Sequence, residues 1–498
     1  MGVKIAFIGA GSIGFTRTLM RDVLAVPELE DTAFSFMDIS RRNLDMVTEL
    51  AKRDVRANHL PAKIESTMNR RKAVEGADYV VNVSRIGGLE GFALDIDIPL
   101  KYGVDQCVGD TLGPGGIMYA QRGIPAILDF CKDVREVADK DALFLNYANP
   151  NAMMTWAANA YGKVKTVGLC HGVQGGHYQI AKVIELLVNK NRKPGGKGYV
   201  PVNRNDVDII CAGINHQTWY IRVLYKGEDW IGRLLEGFEK HPRYSKTEKV
   251  RIDMIRRFGY FSTESNGHLS EYVPWYRKRP KEIRKWIDVS DWIHGETGGY
   301  LRVCLEERNW FETEFPKWMK ETPPVISPQN RSREHGSWII ESLETGRIYR
   351  GHFNVQNKGC ITNLPDDAIV EVPGYVDRNG MGIPRVGDLP LGCAAVCNAS
   401  ITVQRLAVEA AVHADITLLK QSMMMDPLTG AVCDPNEIWQ MTDEMLVTEA
   451  KWLPQYKREI PAARKRLAKG TVKTNDLYRG AARLKVRTVK ELRKIYKK

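Results

Sequence analysis

What the chain lacks narrows it first. Its nine cysteines, at positions 107, 131, 170, 211, 304, 360, 393, 397 and 433, include no pair at CxxC spacing. An odd, scattered set excludes a disulfide framework and a structural zinc ribbon, and predicts buried, reduced thiols. No run of about 18 apolar residues occurs, so no membrane-spanning helix is expected. The N-terminus MGVKIAFIGAG enters an apolar strand directly, without the basic region, apolar segment and cleavage site of a secretory leader. A cytoplasmic protein is the default, with no membrane partner. No internal repeat or low-complexity linker interrupts the 498 residues, a length for two or more domains with large cores.

Acidic residues become scarce at the end of the chain. From Gln455 to Lys498, sixteen Lys or Arg stand against three Asp or Glu. The tail therefore carries the whole net charge of +12, and the body before it is close to neutral. A basic tail can bind nucleic acid by counterion release. Aromatic residues do not alternate with these charges as a single-strand binder requires, so nucleic acid is not an expected partner. The tail reads as a solvated helical appendage, with Leu484, Val486, Val489, Leu492 and Ile495 at partly helical spacing.

What is present is a βαβ pattern. VKIAFI (3–8), AFSFMDI (33–39), GADYVVNVS (76–84), ALFLNYANP (142–150) and KTVGLC (165–170) read as strands separated by helical stretches. Such alternation implies a parallel sheet with right-handed crossovers. Beyond residue 200 the pattern changes. DVDIICAGINHQTWYIRVLYKGEDW (206–230) predicts antiparallel strands, and DAIVEVPGYVDRNGMGIPRVG (367–387) a β-segment turning at Asn379-Gly380. The fold class expected is α/β: a Rossmann-type doubly wound sheet over 1–200, then an α+β domain over 201–454 packed against it, with 455–498 as a basic extension.

GAGSIG places Gly9, Gly11, Ser12 and Gly14 between the first strand and a helix, where G-x-G-x-x-G holds a pyrophosphate at a helix N-terminus. Asp38 ends the second strand and would accept from a ribose 2′-hydroxyl and repel a 2′-phosphate, which favours NAD over NADP. Arg41 and Arg42 lie close by and weaken that preference.

Polar residues gather at strand ends and loops: Asn149 in NYANPNAM, Cys170-His171 in LCHGVQGG, Asn215-His216 in CAGINHQ and Tyr272 in EYVPWY. In a doubly wound sheet the carboxyl ends of the strands open on one crevice. Cys170 alone reads as a buried thiol and His216 alone as a loop histidine. Together they form a plausible two-ligand set for a divalent cation. The residues by themselves point to an NAD-dependent oxidoreductase, metal-assisted or not.

FIGAGS, MDI (37–39), DTLGPGGIM (110–118), NYANPNAM, GLCHGVQG, CAGINH, GYFSTES, SEYVPWY and VEVPGYVDRNG occur in this order across the neutral body. In these motifs the chain resembles glycoside hydrolase family 4, the NAD- and metal-dependent glycosidases, and most of all its melibiase-type α-galactosidases. The resemblance implies hydrolysis by oxidation at sugar C3, loss of the C2 proton, elimination at C1, water addition and return of the hydride. These enzymes depart from the usual pair of catalytic carboxylates. It implies NAD and Mn²⁺, other divalent metals being compatible with the ligands, and a reduced thiol environment. It also implies a homo-oligomer, dimer or tetramer, with 1–200 as the NAD domain and 201–454 as the domain for substrate, metal and oligomerisation, in a lactate- and malate-dehydrogenase-like architecture.

By residue, the resemblance implies Cys170 and His216 as metal ligands and Asn149 as a binder of sugar hydroxyls. Tyr272 would be the C2 base, with Tyr276 and Tyr260 as alternatives. His171 would assist leaving-group departure or bind substrate. Asp110, Thr111 and His335 would line the substrate site, with Glu334 a weaker candidate. His171, where the phosphosugar branch has Asp, implies an unphosphorylated α-glycoside. The chain reads CHGV where melibiase-type members read CHSV; α-galactoside is the first expectation, with α-glucoside and α-uronide as alternatives. Two rival readings exist: a hydroxyacid dehydrogenase, which gives no role to the Cys-His set, and an NAD sensor or nucleic-acid binder acting through the tail.

Overall fold

The computed structural model describes residues 2–190, 192–290, 294–308, 310–470 and 472–495. Its centre is one 13-stranded mixed sheet. The first half is parallel: β1 (Lys4–Ile8), β2 (Ala33–Met37), β3 (Lys63–Thr67), β4 (Tyr79–Asn82), β5 (Leu143–Asn146) and β6 (Thr166–Gly168) lie in the order β3-β2-β1-β4-β5-β6. That order reverses direction between β1 and β4, which opens the ligand crevice of a Rossmann-type sheet. These strands are short apolar runs with helices on both faces, as burial on two sides requires. The α/β class expected from the sequence is the one observed.

The second half is antiparallel and continues the same sheet: β7 (Val207–Ile214), β8 (Gln217–Tyr225), β9 (Glu228–Asp229), β10 (Phe261–Ser262), β11 (Tyr349–Gln356), β12 (Ile369–Asp377) and β13 (Gly380–Gly382). The joins are narrow. β6 meets β11 through Gly168 and Asn354 alone, and β12 meets β7 through Glu371 and Gly213 alone. Asn354 faces Glu371 across β11 and β12. A polar row therefore runs through the sheet just below the ends of β6 and β7, where Cys170 and His216 follow. The β12–β13 turn is one residue earlier than the dipeptide predicts. Asp377 pairs with Gly380, so Arg378 and Asn379 form the turn, held by the Asn379 N–H on Asp377 at 2.8 Å.

Apolar clusters fill both faces. Phe7, Phe34, Phe36, Leu145 and Ile339 pack on one, and Ile117, Phe144, Met153, Ile401 and Leu446 on the other. The Leu391–His413 helix belongs to the second, through Cys393, Cys397, Ile401 and Val408. Contrary to expectation, this helix is long and apolar enough to cross a membrane by length and composition, with half of its apolar window buried. Its contacts with the Gly113–Val137, Asn151–Ala160 and Ile416–Met425 helices are those of a core helix.

The tail departs from the expected solvated helix. The Ile460–Leu467 helix packs on the Pro435–Thr448 helix, and Tyr456 is fully buried. From residue 472 the chain crosses the body without regular secondary structure, turning at 476–477 and 481–482, and helix resumes only over Val489–Ile495. Three of its arginines pair with acids of the body: Arg466 with Asp443 at 2.8 Å, Arg483 with Asp97 at 2.6 Å and Arg487 with Glu306.

Candidate active site

The glycine-rich turn after β1 is fixed by backbone. The Gly9 and Ala10 N–H groups both donate to Met37 O at 2.9 Å, tying the end of β1 to the end of β2. Gly9 has φ of +91°, and a Cβ there would lie 2.7 Å from Ser84 N, so only glycine fits. Ser12 caps the Ile13–Leu24 helix without using its side chain, which leaves the first-turn N–H groups facing the crevice. Asp38 accepts from Gly11 N and Ser40 N, both at 2.8 Å, and keeps further lone pairs for a ribose hydroxyl. Arg41 pairs with Asp45 and Arg42 with Glu312, so both nearby cations are already engaged. A side chain at Gly14 would approach Trp310 at 3.3 Å.

Across the crevice stands a cluster of donors. The ligand atoms of Cys170, His216 and Glu264 all lie within 4.8 Å of one another. Three separate folds of the chain bring them there. Cys170 lies two residues past β6. His216 is the second residue of the two-residue hairpin between β7 and β8, at φ of +64°, a strained conformation for a non-glycine residue. Glu264 lies between β10 and the Asn266–Tyr272 helix, whose cap Ser265 accepts from His268 N.

The chemistry of the three fits a divalent cation. Burial lowers His216 to about 4, so the ring is neutral and able to donate a lone pair. Burial would raise the Glu264 carboxyl, but the imidazoles of His216 and His268 outweigh it and hold it below the ordinary carboxylate range. One Glu264 oxygen, Oε2, is buried with no hydrogen-bond partner, a cost of about 1–3 kcal/mol that a cation would remove. Burial, then Glu264 and Glu371, pushes the Cys170 thiol well up, so only a bound cation makes it a thiolate. Above about pH 4, where His216 is neutral, cation affinity is therefore expected to rise steadily with pH through the neutral and alkaline range, with about one proton, that of the Cys170 thiol, released per ion. Calorimetry in two buffers of different protonation enthalpy measures this. A pH-independent affinity would remove Cys170 from the centre.

A hydrogen-bonded chain fixes His216 from the other side. Thr111 Oγ1 lies 3.0 Å and Tyr272 OH 3.4 Å from His216 Nδ1. Thr111 also donates to Asp110 Oδ1 at 3.0 Å. Asp110 Oδ2 accepts from Asn149 Nδ2 at 3.0 Å and faces Arg85 Nη2 at 3.4 Å. A ligating imidazole with its other nitrogen held in this way has a fixed orientation. The rings of His216 and His268 stack at 4.7 Å, and those of His268 and Tyr272 at 5.7 Å. Burial, then Glu271, pushes the Tyr272 phenol well above its ordinary range.

The structure thus brings Cys170, His216, Tyr272, Asn149, Asp110 and Thr111 together. Tyr276 is elsewhere: its hydroxyl donates to Asp253 at 2.9 Å and its ring packs on Trp286. Tyr260 packs partly buried against the core. The His171 side chain is 72% exposed, 3.7 Å from Glu334, at the mouth of a pocket of about 490 Å³ shared with Gln174, Tyr178 and Arg333. His335 is buried behind that pocket, with Nδ1 2.6 Å from Tyr349 OH and Nε2 3.1 Å from the Gln174 amide.

Two residues of this site were not singled out from sequence. Glu264 stands in GYFSTES, a stretch that signals only a short strand and a cap. Arg85 follows β4 in an aromatic cage, 4.5 Å from the ring of Phe92, 5.1 Å from Tyr119 and 5.5 Å from Tyr300. The position of Arg85 after a strand of the crevice was the available signal.

Comparison with known proteins points one way. A model described as family 4 glycosyl hydrolase matches residues 4–186, and one for the C-terminal domain of that family matches 211–429. An α-galactosidase of Rhizobium meliloti (strain 1021) is 57% identical over 492 residues, 98% of this chain and 97% of its own length. An α-galactosidase of Bacillus subtilis (strain 168) is 32% identical over 460 residues, 91% of this chain and 100% of its own. The structure of a 6-phospho-β-glucosidase from Thermotoga maritima with NAD and glucose-6-phosphate superposes with a TM-score of 0.72 at 24% identity. It covers 91% of this chain and 99% of that one, and shares the fold.

Proposed function

The chain belongs to family 4 of the glycosyl hydrolases, and on that premise we propose that it hydrolyses unphosphorylated α-galactosides with NAD and a divalent cation, Mn²⁺ first among them. The observation that carries this reading is the Cys170–His216–Glu264 cluster beside Tyr272, set on the crevice of a dinucleotide-binding sheet. Bound NAD⁺ would supply reversible hydride transfer at sugar C3, and the cation a Lewis acid at O2 and O3 that acidifies the C2 proton. Gly9, Gly11, Ser12 and Gly14 hold the pyrophosphate, and Asp38 the ribose. Cys170, His216 and Glu264 hold the cation. Asn149 and Asp110 orient the sugar hydroxyls. Tyr272 takes the C2 proton as the C1–O bond breaks with its electron pair on the departing oxygen. His171, at the open mouth, gives that oxygen a proton; water then adds across the C1–C2 double bond, its hydroxyl to C1 and a proton from Tyr272 back to C2, and the hydride would return to C3.

The reading includes a cytoplasmic homo-oligomer with its thiols reduced; all nine cysteines are free. Engagement of Arg41 and Arg42 by acids favours NAD over NADP. Asp38→Ala is expected to raise half-saturating NAD⁺ roughly tenfold and to relax discrimination against NADP⁺, the loss of one charged hydrogen bond. Fluorescence titration of both nucleotides checks it. At Gly172, where CHGV departs from CHSV, a Cβ would lie 2.2 Å from Glu264 Oε2, the free end of a flexible side chain, so a serine there would ask Glu264 to shift.

The test is release of para-nitrophenol from the α-galactoside and the α-glucoside, with and without NAD⁺, Mn²⁺ and a thiol reductant. Cleavage that needs all three supports the mechanism, and the faster substrate identifies the sugar. Accumulation of NADH in step with substrate loss would make the protein a dehydrogenase.

A further inference from the structure

We propose that the C-terminal segment 472–488 is a strap that positions the metal centre, and that Tyr478 is the residue through which it acts. The inference rests on the metal-centre reading above. Its hub is Asp105, whose carboxylate is fully buried. Asp105 Oδ1 accepts from Arg277 Nη2 and Thr297 Oγ1, both at 2.6 Å. Asp105 Oδ2 accepts from the tail alone among the described contacts: Tyr478 OH at 3.0 Å and Ala481 N at 2.7 Å. A buried carboxylate is tolerated only when its oxygens are satisfied, so the tail completes this group.

The tail is locked on at several points besides. Asn475 N donates to Lys101 O at 2.8 Å, and Thr297 N donates to Ala482 O at 3.1 Å. Gly480, at φ of +97°, lets the strap pass Thr297, where a Cβ would meet Thr297 Cγ2 at 2.2 Å. Arg487 grips Glu306 on the Gly299–Glu307 helix through its backbone N–H at 2.8 Å and Nε at 2.9 Å.

Two routes lead from Asp105 and Tyr478 to the site. The loop after Asp105 donates the N–H groups of Cys107 at 2.7 Å and Val108 at 3.1 Å to Glu271, the neighbour of Tyr272. It ends at Asp110-Thr111, and Thr111 holds His216 Nδ1. The second route is through packing. The Tyr478 ring joins the cluster of Phe92, Leu100 and Leu301 with Tyr300. Phe92 and Tyr300 are two walls of the cage that aims Arg85 at Asp110. Loosening the strap would leave the three ligands intact but free the residues that orient His216. Contacts made directly to a metal ligand are worth about 10- to 100-fold in metal affinity, and the strap acts beyond them, so about threefold is the expected effect here.

The test compares wild type, Tyr478→Phe and a chain truncated after Gly470, with Mn²⁺ binding read by calorimetry and NAD⁺ binding by fluorescence. Tyr478→Phe should weaken Mn²⁺ binding about threefold while NAD⁺ affinity stays unchanged and the melting temperature nearly so. The truncated chain should lose more, and a peptide of residues 472–495 added in trans should restore Mn²⁺ affinity. Unchanged Mn²⁺ affinity in Tyr478→Phe would overturn the proposal. So would a parallel loss of Mn²⁺ affinity, NAD⁺ affinity and melting temperature, which would make the strap a general brace. If the truncated chain does not fold, Tyr478→Phe decides alone. A wild type that takes up no Mn²⁺ would instead overturn the metal-centre reading.

Discussion

Glu264→Gln is expected to reduce Mn²⁺ affinity by at least about a hundredfold, and activity with it, while leaving NAD⁺ binding intact. The substitution keeps the volume of the side chain and removes its charge. Glu264 faces a neutral imidazole and a thiol that stays protonated without a cation, so it is the ligand that brings negative charge to the centre before the metal arrives. Its Oε2 makes no hydrogen bond within the protein, while Oε1 lies 3.1 Å from His268 Nδ1. The metal-free variant should therefore melt somewhat lower than metal-free wild type, because removing one partner of a buried pair is destabilising. Added Mn²⁺ should raise the melting temperature of wild type only. Cys170→Ser should lose Mn²⁺ as well, and with it the sensitivity of the enzyme to peroxide. Full activity of Glu264→Gln in metal-free buffer would dismantle the centre as described.

The half of this site that is legible in the sequence is the half set by strand ends. Gly9, Asp38, Asn149 and Cys170 each follow a short apolar run, and a parallel sheet carries all such positions to one edge. His216 is legible for a related reason, because two β-runs separated by Asn215-His216 leave those residues at the tip of a hairpin. Glu264 is not. It reaches the site because the two-residue strand β10 pairs with β8 at Phe261–Tyr220 and Ser262–Trp219, a tertiary choice that no periodicity of FSTES announces. The tail misleads for a different reason. Its charges suggest solvent, but Arg466, Arg483 and Arg487 pair with acids of the body, and Asn475 N, Ala481 N and Ala482 O tie it down through backbone groups that leave no side-chain signature. The turn at Arg378-Asn379 shows the limit of dipeptide rules: Asn-Gly marks the hairpin correctly, and the Asp377 side chain bonding Asn379 N sets the register one residue earlier. His335 lies one residue from the pocket-lining Glu334, and only burial distinguishes the two.

Tyr272→Phe should lower kcat by about 10² to 10⁴, the range for loss of a positioned acid–base group. Mn²⁺ and NAD⁺ should bind nearly as before, because the contact of Tyr272 with His216 is long, 3.4 Å, and Thr111 at 3.0 Å still holds that nitrogen. The discriminating signal is solvent exchange at sugar C2. In D₂O, wild type should place deuterium at C2 of the released sugar, and Tyr272→Phe should slow that exchange in step with kcat. Tyr276→Phe is the control: its hydroxyl serves Asp253, away from His216, so exchange should persist. Exchange lost in Tyr276→Phe and kept in Tyr272→Phe would move the base. The environment of Tyr272 also ties it to the cation. Burial and Glu271 oppose the phenolate, so the residue can act as a base near neutral pH only when a positive centre lies beside His216. The acid limb of the kcat profile should therefore move to lower pH when Mn²⁺ is replaced by a stronger Lewis acid such as Co²⁺. A limb that ignores the metal would separate the base from the centre, and Tyr272 with it.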